Sequence, residues 1–186
     1  MADIPTTTFT DRTGKEFLIR TAQTADAENL LSYIRAVADE TEFFVLESDE
    51  FPPTVEAERT WVQDHVDHPG KILLVAEAEG HIIGNISFEA GPSRRIAHRG
   101  NLGISVTRAW RGRGVGTALL QRLLKWAEAN PIIEKVALEV FATNDSAIRL
   151  YKKLGFIEQG VARKEVKLGP GRHVDVLSMY RFVKQL

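Results

Sequence analysis

The chain has 186 residues, of which 44% are hydrophobic and 26% charged, with a formal net charge of −1. That suits one domain around one core, and the lack of a basic surplus argues against nucleic acid as the main partner. No cysteine is present, which excludes disulfides, thiolate metal sites and a cysteine nucleophile, and no apolar run approaches a membrane span.

The opening stretch MADIPTTTFTDRTG is polar and has no apolar signal core. Residues 1–14 are therefore expected as a flexible N-terminal arm before a single domain, 15–186, with a cytoplasmic location. KEFLIR (15–20) predicts a first strand. A helix follows over 21–40, with Thr24 as N-cap and Leu30, Leu31, Ile34, Val37 and Ala38 at helical spacing. The acidic and aromatic segment 41–53 ends at Pro52–Pro53, which stops any helix there. A second helix is expected over 54–68. His65 and His68, three apart on it, lack ligand spacing and read as surface residues.

Residues 71–90 predict two strands joined by a tight turn at Glu79–Gly80. Another strand candidate covers 95–106, where Leu102, Ile104 and Val106 alternate and Gly100 and Gly103 suggest a bulge or a close backbone approach. Residues 115–129 are strongly amphipathic, with Val115, Leu119, Leu123 and Trp126 on one face. A short buried strand (135–141) precedes a helix over 142–156, capped by Thr143 or Asn144 and ended by Gly155. Two strands around a Gly-Pro-Gly turn, 157–168 and 173–183, close the chain. This order implies an α/β (α+β) fold, a mixed sheet with helices on its faces.

The stretch RGRGVG (111–116) places three alternating glycines directly before a helix. Glycines there let backbone N–H groups face outward, and the helix start adds unpaired donors and partial positive charge. Together these make an anion site, and phosphate is the usual guest. Neither the P-loop string nor the Rossmann spacing is present.

Arg111, Gly114 and Gly116 do fit R-x-x-G-x-G, which resembles the acyl-CoA-binding motif of the GCN5-related N-acetyltransferase family. NDSAIRLYKKLGF is similar to that family's second signature, with Asn144, Ala147, Leu150, Tyr151, Gly155 and Phe156 at the marked positions. The resemblance covers about residues 15–183. It implies the acyl-CoA N-acyltransferase fold, a mostly antiparallel, splayed sheet of about seven strands with helices on both faces. It also implies acetyl transfer from acetyl-CoA to a primary amine, without a metal.

By the resemblance, the diphosphate of acetyl-CoA sits on Gly112, Arg113, Gly114, Val115, Gly116 and Thr117, mainly through backbone N–H, with Arg111 and Arg113 adding charge. Ile104, Ser105 and Val106 bind the pantetheine arm like an added strand. Asn144 caps its helix, with or without a cofactor contact. Tyr151 matches the tyrosine that protonates the departing thiolate, whose free thiol has a pKa near ~8.5; the alternative is a core tyrosine. Glu139 matches a general base in a relative that acetylates a ribosomal protein. On its strand it should share a face with Ala137 and Phe141 and be partly buried, with a raised pKa; the alternative is a structural carboxylate. Asn101 stands where many relatives carry a glutamate, leaving Glu89 and His98 as weaker candidates.

Residues 39–50 hold Asp39, Glu40, Glu42, Glu47, Asp49 and Glu50. A carboxylate-lined mouth would attract a polyamine, an aminoglycoside-like amine or a peptide N-terminus, whereas an ordinary solvated loop would attract none. A homodimer is an expectation from the resemblance. The other functional class is a non-catalytic acyl-CoA sensor.

Overall fold

The computed structural model describes residues 4–51 and 54–185. Pro52 and Pro53 lie outside the described residues. Eight strands form one sheet: β1 (Thr7–Thr10), β2 (Glu16–Thr21), β3 (Lys71–Ala78), β4 (His81–Ala90), β5 (Arg99–Val106), β6 (Lys135–Phe141), β7 (Ile157–Gly169) and β8 (Arg172–Phe182). Their order is β1-β2-β3-β4-β5-β6-β8-β7. Every neighbouring pair is antiparallel except β5 beside β6.

Among the described residues, four α-helices cover the sheet: α1 (Ala27–Asp39), α2 (Val55–Asp67), α3 (Val115–Ala129) and α4 (Asp145–Lys153). The apolar run of β3 is buried because both of its faces are covered. Ile72, Leu74 and Ala76 join Val115, Leu119 and Leu123 of α3 in the main core. Leu73 and Val75 point the other way, to Leu30 of α1 and Val62 of α2. The 3.6-residue pattern of 115–129 thus marks a helix lying on the sheet, as its spacing predicts.

The sheet has eight strands where about seven are expected. The extra one is β1, inside the stretch expected as a flexible arm. It pairs with β2 from Thr7↔Ile19 to Thr10↔Glu16. Phe9 stacks on Phe17 at 5.5 Å between ring centroids, so one aromatic and the β-branched threonines suffice for a short edge strand. Thr24 is not the N-cap of the first helix. It opens a 3-10 turn, Thr24–Asp26, capped by Gln23. The Asp26 carboxylate accepts from Gln23 N at 2.7 Å and pairs with Arg20 at 2.7 Å.

His65 departs from expectation as well. It is buried on the sheet side of α2, with its ring 4.3 Å from that of Trp61. The stripe of Trp61, Val62 and His65 faces inward because a helical residue and those three or four positions on share a face.

Candidate functional site

β5 and β6 pair only from Arg99↔Lys135 to Asn101↔Ala137. Beyond Asn101 they diverge. Gly100 holds the closed end: a Cβ there would collide with the Glu89 carbonyl oxygen and the Phe88 ring, so only glycine lets β5 lie this close to β4. Gly103 bears no such load, since its Cβ would meet the Ser87 hydroxyl at 3.5 Å. A groove of about 940 Å³ fills the divergence, with Ile104, Gly114, Glu139, Asn144 and Tyr151 among its walls.

The peptide groups of β5 alternate in direction. Thr107 N donates to Ile83 O on β4 at 3.0 Å, so the Val106 carbonyl, on the other side of that peptide, points into the groove. Counting back along the strand, the N–H groups of Ile104 and Val106 face the groove and that of Ser105 faces β4. Ser105 is thus a poor fit to its expected place. Its side chain is buried on the opposite face, where its hydroxyl donates to Asn85 Oδ1 at 2.6 Å and lies 2.8 Å from the Tyr33 hydroxyl. Burial pushes the Tyr33 pKa up, against the hydrogen bond to Ser105.

At the wide end of the groove is the glycine loop. Gly112 and Gly114 take φ of 71° and 106°, left-handed values that favour glycine, and a Cβ on either would point into open space. Gly114 is the N-cap of α3, and its carbonyl accepts from Ala118 N at 3.0 Å. Among the described residues, the amides of 112–117 make no well-formed hydrogen bond to a protein group. Val115 fixes the helix start by burying its side chain in the main core. Gly116 sits against Leu150, where a Cβ would make an ordinary 3.5 Å contact.

The two arginines of the motif are already engaged. Arg111 donates to Val106 O at 2.9 Å and pairs with Glu40 at 3.4 Å. Arg113 pairs with Asp11 and lies 4.1 Å over the Trp110 ring. Their contribution to an anion site is therefore mainly backbone geometry, with the guanidinium groups bracing the loop. Asp11 also accepts from Thr13 N, Thr13 Oγ1 and Lys15 N at 2.8, 2.8 and 2.9 Å. Burial pushes its pKa up, yet these bonds and Arg113 outweigh it and bring the value down to about 2. The β1–β2 turn thus anchors the glycine loop. Sequence reading missed Asp11 because it fell in the supposed arm; its signal is the Asx-type turn D-x-T-G-K. Arg12, next to it, is exposed and lines the groove.

Asn144 caps α4 by accepting from Ala147 N at 3.2 Å, and it also lines the groove. Tyr151 projects from α4 into the same groove and packs on Phe156, with ring centroids 5.8 Å apart. Burial pushes its pKa up to about 12, so the phenol keeps its proton at neutral pH. Glu139 lines the groove from β6, sharing a strand face with Phe141. It is exposed, not half-buried, because the diverged β5 leaves that wall open. The burial on which its expected tuning rested is absent. The predicted residues otherwise gather around one groove, Ser105 included, except Arg113, turned to Asp11 and Trp110, and Val115, buried in the core.

Outward amides without a Cβ in the way, at the end of a strand with unpaired N–H groups, fit a diphosphate carrying an extended arm. The acetyltransferase (GNAT) family model matches residues 35–156. The chain belongs to that family. It is 30% identical over 166 residues to an L-amino acid N-acetyltransferase of Escherichia coli, across 89% of this chain and 98% of that one. A GNAT-family acetyltransferase structure from Streptococcus pneumoniae superposes with a TM-score of 0.87 at 28% identity, over 90% of this chain and 99% of that one. A GNAT phosphinothricin acetyltransferase from Sinorhizobium meliloti, solved in complex with acetyl-CoA, gives 0.76 at 26% identity, over 88% and 86%. The protein is thus an N-acetyltransferase with acetyl-CoA as co-substrate, and the sensor reading is set aside.

Proposed function

We propose that the chain transfers acetyl from acetyl-CoA to the α-amine of an amino acid or short peptide by direct attack. The observation that carries this is the set of undonated amides at 112–117, opening onto the β5–β6 divergence. In this reading the diphosphate rests on those amides and the pantetheine arm runs along Ile104 and Val106. The α-amine is supported by the E. coli relative's name. A polyamine fits less well, because Glu40 pairs with Arg111 and Glu42 with Arg172, which neutralises part of the acidic mouth.

Tyr151 donates its proton to the thiolate as the C–S bond breaks. Glu139, exposed on the far wall, attracts and orients the ammonium. The chain works in the cytoplasm as a homodimer, joined along β7, whose Ile157 and Val161 are exposed. The test is an acceptor screen: CoA thiol release is followed for free L-amino acids, peptides and polyamines, and the acetylated nitrogen is located by mass spectrometry. Turnover with polyamines alone would refute the α-amine assignment.

A further inference from the structure

A second hollow, of about 460 Å³, opens beside the groove, with Ser87, Glu89, Arg99 and Asn101 on its walls. The two meet at Leu102 and Gly103. On the reading above, the arm of acetyl-CoA, descending β5 from the glycine loop, would bring its thioester to that junction. Glu89 pairs in register with Asn101, one strand over and two residues back from Gly103. A strand spacing of ~4.8 Å and a rise of ~3.4 Å per residue separate the Glu89 and Gly103 Cα atoms by roughly 8 Å, within reach of a glutamate and an amine.

Behind Glu89 lies His65, whose side chain is 0% exposed. Its Nδ1 is 2.9 Å from the Trp61 carbonyl oxygen, so that nitrogen carries a proton and donates. Its Nε2 has no hydrogen-bond partner among the described residues and faces Glu89 Oε1 at 3.3 Å. A neutral ring with this tautomer turns a lone pair toward a carboxylate, an arrangement that a shared proton relieves. Glu89 Oε2 is held by Lys71 Nζ at 3.3 Å, itself fixed by Asp64 at 2.6 Å. Glu89 from β4, Lys71 from β3 and Asp64 from α2 are the charges facing the imidazole. Burial dominates these and depresses its pKa, leaving the ring without its second proton at neutral pH.

We propose that Glu89, backed by His65, receives the proton of the acceptor ammonium in this hollow. The ammonium gives one proton to the pair, which holds it between Oε1 and Nε2. The freed nitrogen lone pair forms the C–N bond to the thioester carbonyl. On collapse the C–S bond breaks, the thiolate takes the Tyr151 proton, and the nitrogen's second proton restores the phenol. The proton held by the pair leaves to solvent. Glu89 is the catalytic residue in this scheme, and His65 acts through it. The scheme rests on the acceptor reading above.

The test uses the fastest acceptor of the screen at saturating acetyl-CoA, with wild type, Glu89→Gln and His65→Gln compared for kcat/KM against pH. Acetyl-CoA affinity is measured separately by calorimetry. Glu89→Gln should lose on the order of a hundredfold in kcat and flatten the acid limb, with acetyl-CoA affinity within about twofold of wild type. His65→Gln should displace the acid limb with a smaller loss. Should buried His65 prove intolerant of change, the half-exposed Glu89 variant alone decides. A wild-type pH profile and kcat in Glu89→Gln overturn the proposal while leaving the acetyltransferase intact. Thiol release by wild type with no amine at all overturns the acceptor reading and this one together.

Discussion

Replacing Gly114 by aspartate separates two properties of the loop. The first is backbone strain: φ is 106° there, and a side chain costs about 1–3 kcal/mol in such a region. The free loop relaxes to relieve it, and binding must restore the strained form, so the cost appears in affinity. The second is charge. A carboxylate ~4 Å from a phosphate charge opposes binding by about 4 kcal/mol at an effective dielectric of 20, and about half that after screening at this half-open site. Together they come to roughly 3–5 kcal/mol, or two to four decades in Kd at about 1.4 kcal/mol per decade. Gly114→Asn keeps most of the strain and none of the charge, and asparagine tolerates left-handed backbone, so it should lose about one decade. Calorimetric titration with acetyl-CoA reads both. The gap between the variants should narrow with salt, since the Debye length falls from about 30 Å at 0.01 M to about 3 Å at 1 M. Equal affinities for Asp and Asn at low salt would refute the assignment of these amides to the diphosphate.

Tyr151→Phe should lower kcat by about two to four decades while acetyl-CoA affinity stays level; steady-state kinetics with calorimetry would show otherwise if the phenol is only a core residue. Glu139→Gln should raise the acceptor KM several-fold without moving the pH profile, and a moved profile would restore it as the base. Asp11→Asn should lower the melting temperature at neutral pH. The folded pKa of Asp11 lies below its ordinary value of 3.8, at about 2, so its contribution is present above 3.8 and disappears as pH falls through 2. The melting deficit of the variant, followed by circular dichroism, should vanish over the same window. Gly100→Ala should cost about 1–3 kcal/mol through backbone collision, or several degrees in melting temperature for a chain of this size. An unchanged melt would mean that the close approach of β5 to β4 carries no constraint.

Most elements were legible because their apolar spacing is set by a face pressed on the sheet. The spans of α3 and β6 coincide with their expected ranges, 115–129 and 135–141. The loop was legible because a helix start with alternating glycines has few uses other than exposing amides. The failures share a different cause. β1 has one aromatic and three threonines, and its stability comes from a partner strand and from Phe17, neither of which local composition reveals. Glu139 alternates as a strand residue should, but its exposure depends on where a neighbouring strand departs, which is a tertiary fact. Ser105 does line the groove, but the two-residue period of a strand turns its amide the other way.

Trp61, Val62 and Val66 place an apolar stripe on α2, and position 65 lies within it, four after Trp61 and three after Val62. A histidine on such a stripe must lose its water, so it needs a partner for each ring nitrogen or a reason to leave one unmet. The helix itself supplies the first partner, since the Trp61 carbonyl lies one turn back. Among the described residues the second nitrogen faces Glu89, on a strand some twenty residues onward, and a carboxylate satisfies it solely when a proton lies between them. Packing would be served by leucine at this position without leaving a nitrogen unpartnered. The histidine is therefore better explained by the proton that, on our proposal, it takes up with Glu89 during turnover than by the core it fills.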